Sequence, residues 1–293
     1  MKKKLIAINL LLTIPLLSSC NTDWAWWEDK NISIDKYISL SDAQKALDDS
    51  SANYQLATIK KEKYSKKTYY KEYLGKFSTE TDSDINSSST SETKKYTNRV
   101  VIKELDSSYE ESFLNAKSIK NVDQEIYTYA DGSVITTKNV VDYGYGEKTM
   151  SESKKSYTSD EALLKDLAIG STLASVSIDW NKATYGFSKN NEVIVETMSM
   201  TTGSYKVKFN NKTLENFVTN TYNLYRLKPI QEGENTIYMM DYSYSKIEKL
   251  IGSSIFDEPL SEPYLLEKEE TTITYESKDN GDYDIASIPT AVE

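Results

Sequence analysis

The stretch QEIYTYADGSVITTKN, residues Gln124 to Asn139, decides the fold class. Ile126 and Thr128 alternate with Tyr127 and Tyr129 on one side of Asp131-Gly132. Val134 and Thr136 alternate with Ile135 and Thr137 on the other. A period of two sends successive side chains to opposite faces of a strand. Asp-Gly suits the type I′ turn of a two-residue hairpin loop. The stretch therefore predicts an antiparallel hairpin.

The same alternation recurs outward. Two strands are predicted over 54–77 and one over 96–105, where Tyr96, Asn98, Val100 and Ile102 share a face. Another falls over 140–150, with Gly144 and Gly146 as bends. Further strands are read over 173–180, 183–187, 192–200, 204–209, 213–227, 236–244 and 271–276. Asn190-Asn191 and Asn210-Asn211 mark turns. Residues 78–95, rich in Ser and Thr without an aromatic ring, read as a low-complexity loop, and 246–256 as a short helical turn.

Two helices interrupt the strands. Residues 41–53 open on Ser41 and Gln44, and 158–169 on Thr158 and Glu161; both fit a capping box. Leu163, Leu164, Leu167 and Ala168 form an apolar stripe, with Gly170 as the C′ residue. The expected fold is α+β and β-rich: a curved antiparallel sheet, or two, with two short capped helices packed on one face. The body spans 36–277, whole or as halves 36–157 and 158–277, and 278–293 reads as a disordered tail.

Composition excludes several function classes. The chain has 293 residues, 23 tyrosines, 10 glycines and a formal net charge of −10. An acidic body does not seek nucleic-acid phosphates and is repelled by anionic headgroups. There is no histidine, which removes Ser-His-Asp and Cys-His catalysis and His-ligated zinc. The single cysteine, Cys20, excludes an intrachain disulfide.

Residues 1–19 have the layout of a secretory signal peptide: Lys2, Lys3 and Lys4, an apolar run to Leu17, then small residues. The run is too short to span a bilayer, which needs about 20 residues. Leu17-Ser18-Ser19-Cys20 resembles the lipobox of bacterial lipoproteins. That resemblance implies a thioether-linked diacylglyceryl group on Cys20 and cleavage before it. It places the protein at the extracytoplasmic face of the cell membrane, where two or more acyl chains hold stably. Residues 20–35 form a tether carrying Trp24, Trp26 and Trp27. Those rings either rest in the headgroup layer, which tryptophan favours, or pack onto the domain.

Candidate chemistry is thin. Asp82, Asp84 and Asn86 begin like a calcium loop, but Ser87 stands where the turn glycine belongs and Thr93 where the bidentate Glu belongs. Asp279, Asp282 and Asp284 form a looser cluster, and Glu267, Glu269 and Glu270 an acidic run. No phosphate loop or nucleophile elbow occurs, so no enzyme, cofactor or metal site is expected. The apolar strand positions Val100, Ile102, Ile126, Val134, Val176, Ile178, Val193, Val195, Val207, Phe209, Ile237 and Met239 are candidates to line a cavity. An anchored lipoprotein with a leading helix, many antiparallel strands and a mid-chain helix resembles the LolA/LppX-like lipoprotein carriers in element order and length. The resemblance implies a lipid or other apolar ligand. The alternative is a surface interaction protein, an adhesin or accessory subunit, without a small-molecule pocket.

Overall fold

The computed structural model describes residues 34–52, 56–68, 84–113, 116–146, 148–169, 178–203, 208–209, 212–213, 217–232, 235–250 and 264–290. The chain enters through β1 (Lys36–Tyr37) and helix α1 (Leu40–Ala52). A meander follows: β2 (Ile59–Thr68), β3 (Asp84–Lys95), β4 (Val100–Phe113), β5 (Ala116–Asp131), β6 (Val134–Asp142) and β7 (Lys148–Ser156). Helix α2 (Asp160–Asp166) leads to β8 (Ala183–Phe187) and β9 (Val193–Gly203). A small pair, β10 (Lys208–Phe209) with β11 (Lys212–Thr213), stands apart. The long strands β12 (Phe217–Glu232), β13 (Asn235–Leu250) and β14 (Tyr264–Glu276) close the order.

Among the described residues, twelve strands make one antiparallel sheet in the order β1-β8-β9-β12-β13-β14-β2-β3-β4-β5-β6-β7. The two halves of the chain are thus joined edge to edge, with Glu267 of β14 opposite Thr68 of β2 and Glu276 opposite Ile59. The sheet ends on β1 and β7 and does not close into a barrel. The predicted hairpin is β5–β6: Asp131 pairs with Val134 across Gly132, whose φ of 58° is the left-handed conformation that the turn requires.

Cross-strand partners share a face, so the register assigns every side chain a side. On one face, Ala46 of α1 packs over Val193, Val195, Tyr225, Leu227 and Met240. On the same face, Leu163 and Leu167 of α2 pack over Ile135, Val101 and Ala130. Both helices therefore cover one side. On the other side Ile34 lies against Ile194, Tyr222 and Leu224, while Ile288 and Tyr283 cover Val100, Ile102 and Tyr127. Strand β9 is buried on both faces, from Val193 at 1% exposure to Glu196 at 8%.

Several expectations are corrected. Residues 84–95 are not a loop but strand β3, paired along its length with β2 and β4. The stretch has no Gly or Pro, its Thr residues are β-branched, and its sides stay largely wet, so it needs few apolar groups. Lys246–Leu250 is not helical: it continues β13 against Phe217–Thr221 of β12. Ile178 and Trp180 lie outside any strand, and the Trp180 ring meets Tyr185 edge-on at 6.0 Å. The helix caps shift. Ser39, not Ser41, caps α1, its Oγ accepting from the Asp42 amide at 3.1 Å. Ser159, not Thr158, caps α2 and accepts from the Ala162 amide at 3.3 Å.

The segment expected to be a disordered tail lies against the sheet from 277 to 290. Asn280 Nδ2 donates to the carbonyls of Thr58 and Lys95 at 3.2 and 2.9 Å. Thr97 Oγ1 donates to Asp282, and Lys138 Nζ to the Pro289 carbonyl at 3.0 Å. Ile288, 4% exposed, supplies the apolar anchor that composition alone did not reveal.

Candidate functional site

The lipobox with Cys20 and the rings Trp24, Trp26 and Trp27 lie outside the described residues, as do Asp82, Val176 and Val207. No helix among the described residues is long and apolar enough to cross a membrane. Asp84 and Asn86 sit within β3. In the C-terminal segment each carboxylate has a local partner: Asp279 accepts from the Gly281 amide, Asp282 from Thr97, and Asp284 from the Ala286 amide. Among the described residues no group of three acidic side chains is placed to hold a metal ion.

The apolar positions expected to line one cavity are divided instead. Val193 and Val195 pack under α1, Val100 and Ile102 lie under the C-terminal segment, and Met239 joins Tyr275 and Ala57. The cavity that does form mixes hydroxyl and charged groups with apolar surface. It is an open groove of roughly 560 Å³ on the face opposite both helices. It crosses β12, β13, β14, β2 and β3, which lie side by side.

Alternation puts one residue in two from each strand into this groove. β12 contributes Tyr222, Leu224 and Arg226; β13 contributes Ser243 and Ser245; β14 contributes Glu270 and Thr272. β2 adds Lys63 and Ser65, and β3 adds Ser88 and Thr90. The short Ser and Thr side chains between longer neighbours leave the space. On the β12 side Tyr222 is buried and its hydroxyl donates to Glu196 Oε1 at 2.9 Å. Burial, then the neighbouring Glu196 carboxylate, pushes the Tyr222 phenol well above its ordinary range, so it stays protonated.

The acids of this region are engaged. Glu196 takes the Tyr222 hydroxyl, and Glu270 pairs with Lys268 at 3.1 Å. The cations are held more loosely. Lys63 is exposed and has no ion-pair partner among the described residues. Arg226 Nε is buried without a hydrogen-bond partner, its nearest carboxylate oxygen being Glu192 Oε2 at 3.8 Å. Asn220, six residues back on the same face of β12 and outside the groove lining, has a buried Oδ1 with no partner among the described residues either. Such orphaned atoms are rare in folded proteins and call for an explanation.

The acidic run in β14 has a different place. Glu267 lies on the helix face, between Lys66 and Lys246. Sequence reasoning missed the groove because no apolar or catalytic motif marks it. The available signal was the recurrence of Ser and Thr at alternate positions, Ser88 with Thr90 and Ser243 with Ser245, beside Ser65. No known protein family, curated protein or solved structure matches this chain.

Proposed function

We propose that this chain is a lipid-anchored extracytoplasmic binding protein, not an enzyme, which displays the open side of its sheet to a polar ligand. The observation that carries the reading is the open, hydroxyl-lined groove on the face that neither helix covers. An apolar ligand is best held by an enclosed, mainly apolar pocket. Here the apolar strand residues are taken up in packed clusters, which favours a polar ligand over a lipid. The anchor rests on the lipobox ending at Cys20, and Trp24, Trp26 and Trp27, a residue type that favours the headgroup layer, follow it within seven residues of sequence.

Two measurements test this. Metabolic labelling with a palmitate analogue should mark the wild type and not Cys20→Ala; equal labelling sinks the anchor. Native mass spectrometry of the purified protein after mild delipidation should show no stoichiometric lipid held by the body. A retained lipid, lost on widening the groove with Leu224→Ala, would return the reading to an apolar ligand.

A further inference from the structure

We infer that the groove takes an acidic oligosaccharide, its carboxylates meeting Arg226 and Lys63 and its hydroxyls meeting the Ser and Thr rows. This rests on the polar-ligand reading above and deepens it. Three observations converge. First, the chain carries a net charge of −10, yet among the described residues Lys63 has no ion-pair partner and Arg226, its side chain 38% exposed, has only the long 3.8 Å contact with Glu192. An anion is the complementary charge, and a guanidinium N–H binds a carboxylate with a charge-assisted hydrogen bond.

Second, the hydroxyls of Ser65, Ser88, Thr90 and Ser243 on the groove have no side-chain partner among the described residues. A ligand rich in hydroxyls offers each both a donor and an acceptor.

Third, the shape selects against a peptide. The main-chain groups beneath the groove are already paired with neighbouring strands, so an extended peptide cannot add as a strand there. Tyr222 is only 2% exposed, and the register turns the Tyr64 and Tyr244 side chains toward the helix face, which favours recognition by hydrogen bonds and charge over stacking. The groove runs across five strands, about 20 Å at ~4.8 Å per strand, which matches an extended chain of a few sugar units better than a compact metabolite.

Calorimetric titration of the full-length protein in detergent tests the inference, with hyaluronan hexasaccharide and oligogalacturonate as acidic probes and chitohexaose as the neutral one. An acidic probe should bind at least tenfold tighter than chitohexaose and should weaken as salt is raised. Arg226→Ala should lower its affinity at least tenfold, and Lys63→Gln about threefold or more. Lys63 is exposed, so Lys63→Gln keeps the test open should Arg226→Ala fold poorly. Equal binding of neutral and acidic probes, lost on replacing Ser88 and Thr90 by leucine, overturns the acidic ligand but leaves the polar-ligand reading standing. Acidic binding that both cation variants preserve puts the site elsewhere and overturns the inference. If no saccharide binds at millimolar concentration, the inference falls; native mass spectrometry then decides the broader reading separately.

Discussion

Glu267 is clamped between two lysines: Lys246 Nζ donates to its Oε1 at 2.8 Å, and Lys66 Nζ meets its Oε2 at 2.9 Å. The Glu267 side chain is 10% exposed, whereas the lysine side chains remain a quarter to a third exposed. This triangle ties β13, β14 and β2 together where the two halves of the sheet meet. Burial alone would raise the Glu267 carboxyl; the hydrogen bonds from Lys246 and Lys66 outweigh it and hold it below the usual carboxylate range. Replacing Glu267 by Gln leaves two lysines facing each other and should cost about 1–2 kcal/mol at pH 7, between the exposed and fully buried limits. The folded carboxyl binds its proton less readily than the unfolded one. Its contribution is therefore present above the ordinary carboxylate pKa and lost as pH falls through the lowered folded value. Urea unfolding at pH 7 and across the acid range should show the wild-type advantage over Glu267→Gln shrinking as pH falls. A constant difference would deny the ion pair its role.

Arg99 joins the β3–β4 turn to the start of α2. Its guanidinium meets Asp160 in two bonds of 2.8 and 3.1 Å, while its backbone is held at φ 62°. The left-handed conformation costs a non-glycine residue about 1–2 kcal/mol. The pair is exposed on both sides and contributes at most about 1 kcal/mol. Arg99→Gly removes both effects, so its stability should lie within about 1 kcal/mol of wild type or slightly above it. Asp160→Ala loses the pair and a first-turn acid without relieving the backbone, and should be the less stable variant. Thermal unfolding of the two side by side checks the order; Arg99→Gly below Asp160→Ala would reverse the argument.

The elements that the sequence announced are those with a strong local signal. Asp131-Gly132 between alternating strands, and Leu163 with Leu167 one turn apart, each specify a geometry that few alternatives satisfy. The β-rich class, the antiparallel pairing and the two short helices on one face followed from such signals. Strand β3 was hidden because its residues carry almost no apolar pattern; neighbours on both sides, not its own burial, make it a strand. The C-terminal segment was hidden because one Ile288 anchor and a few side-chain bonds to distant backbone leave no periodic trace. The groove was hidden for a related reason. Its rows of Ser and Thr come together only once β14 pairs with β2, residues about 200 apart in the chain.

Gly186 marks where β1 can dock. A Cβ there would fall 2.4 Å from Ile34 Cγ2 and 2.6 Å from the Lys36 carbonyl oxygen. The backbone cannot retreat without breaking the short β1–β8 pairing, in which Lys36 faces Phe187 and Tyr37 faces Gly186. Gly186→Ala should therefore displace β1 and cost about 1–3 kcal/mol, the range for forced overpacking. Hydrogen exchange gives the local readout. The Asp35 amide, bonded to the Phe187 carbonyl at 2.8 Å, should lose protection while amides of the β12–β13 ladder keep theirs. Unchanged protection at Asp35 would mean that the strand edge yields without cost.

The C-terminal segment should behave as part of the core. Asn98 Nδ2 donates to the Tyr283 carbonyl at 2.8 Å, and its Oδ1 accepts from the Tyr283 amide at 3.1 Å, so one side chain imitates a strand neighbour. Tyr283 then stacks at a tilt on Tyr96 with 5.1 Å between ring centres, and Ile288 closes over Val100, Ile102 and Tyr127. Ile288→Ala removes a buried branched side chain and should cost about 2–4 kcal/mol. Truncation after Lys278 should cost more and should expose enough apolar surface on β4 and β5 to bind a hydrophobic dye. Both effects are read from urea midpoints and dye fluorescence at neutral pH. A truncated chain with the wild-type midpoint and no dye binding would mean that Val100 and Ile102 find other cover, and that the segment only rests on the sheet rather than completing it.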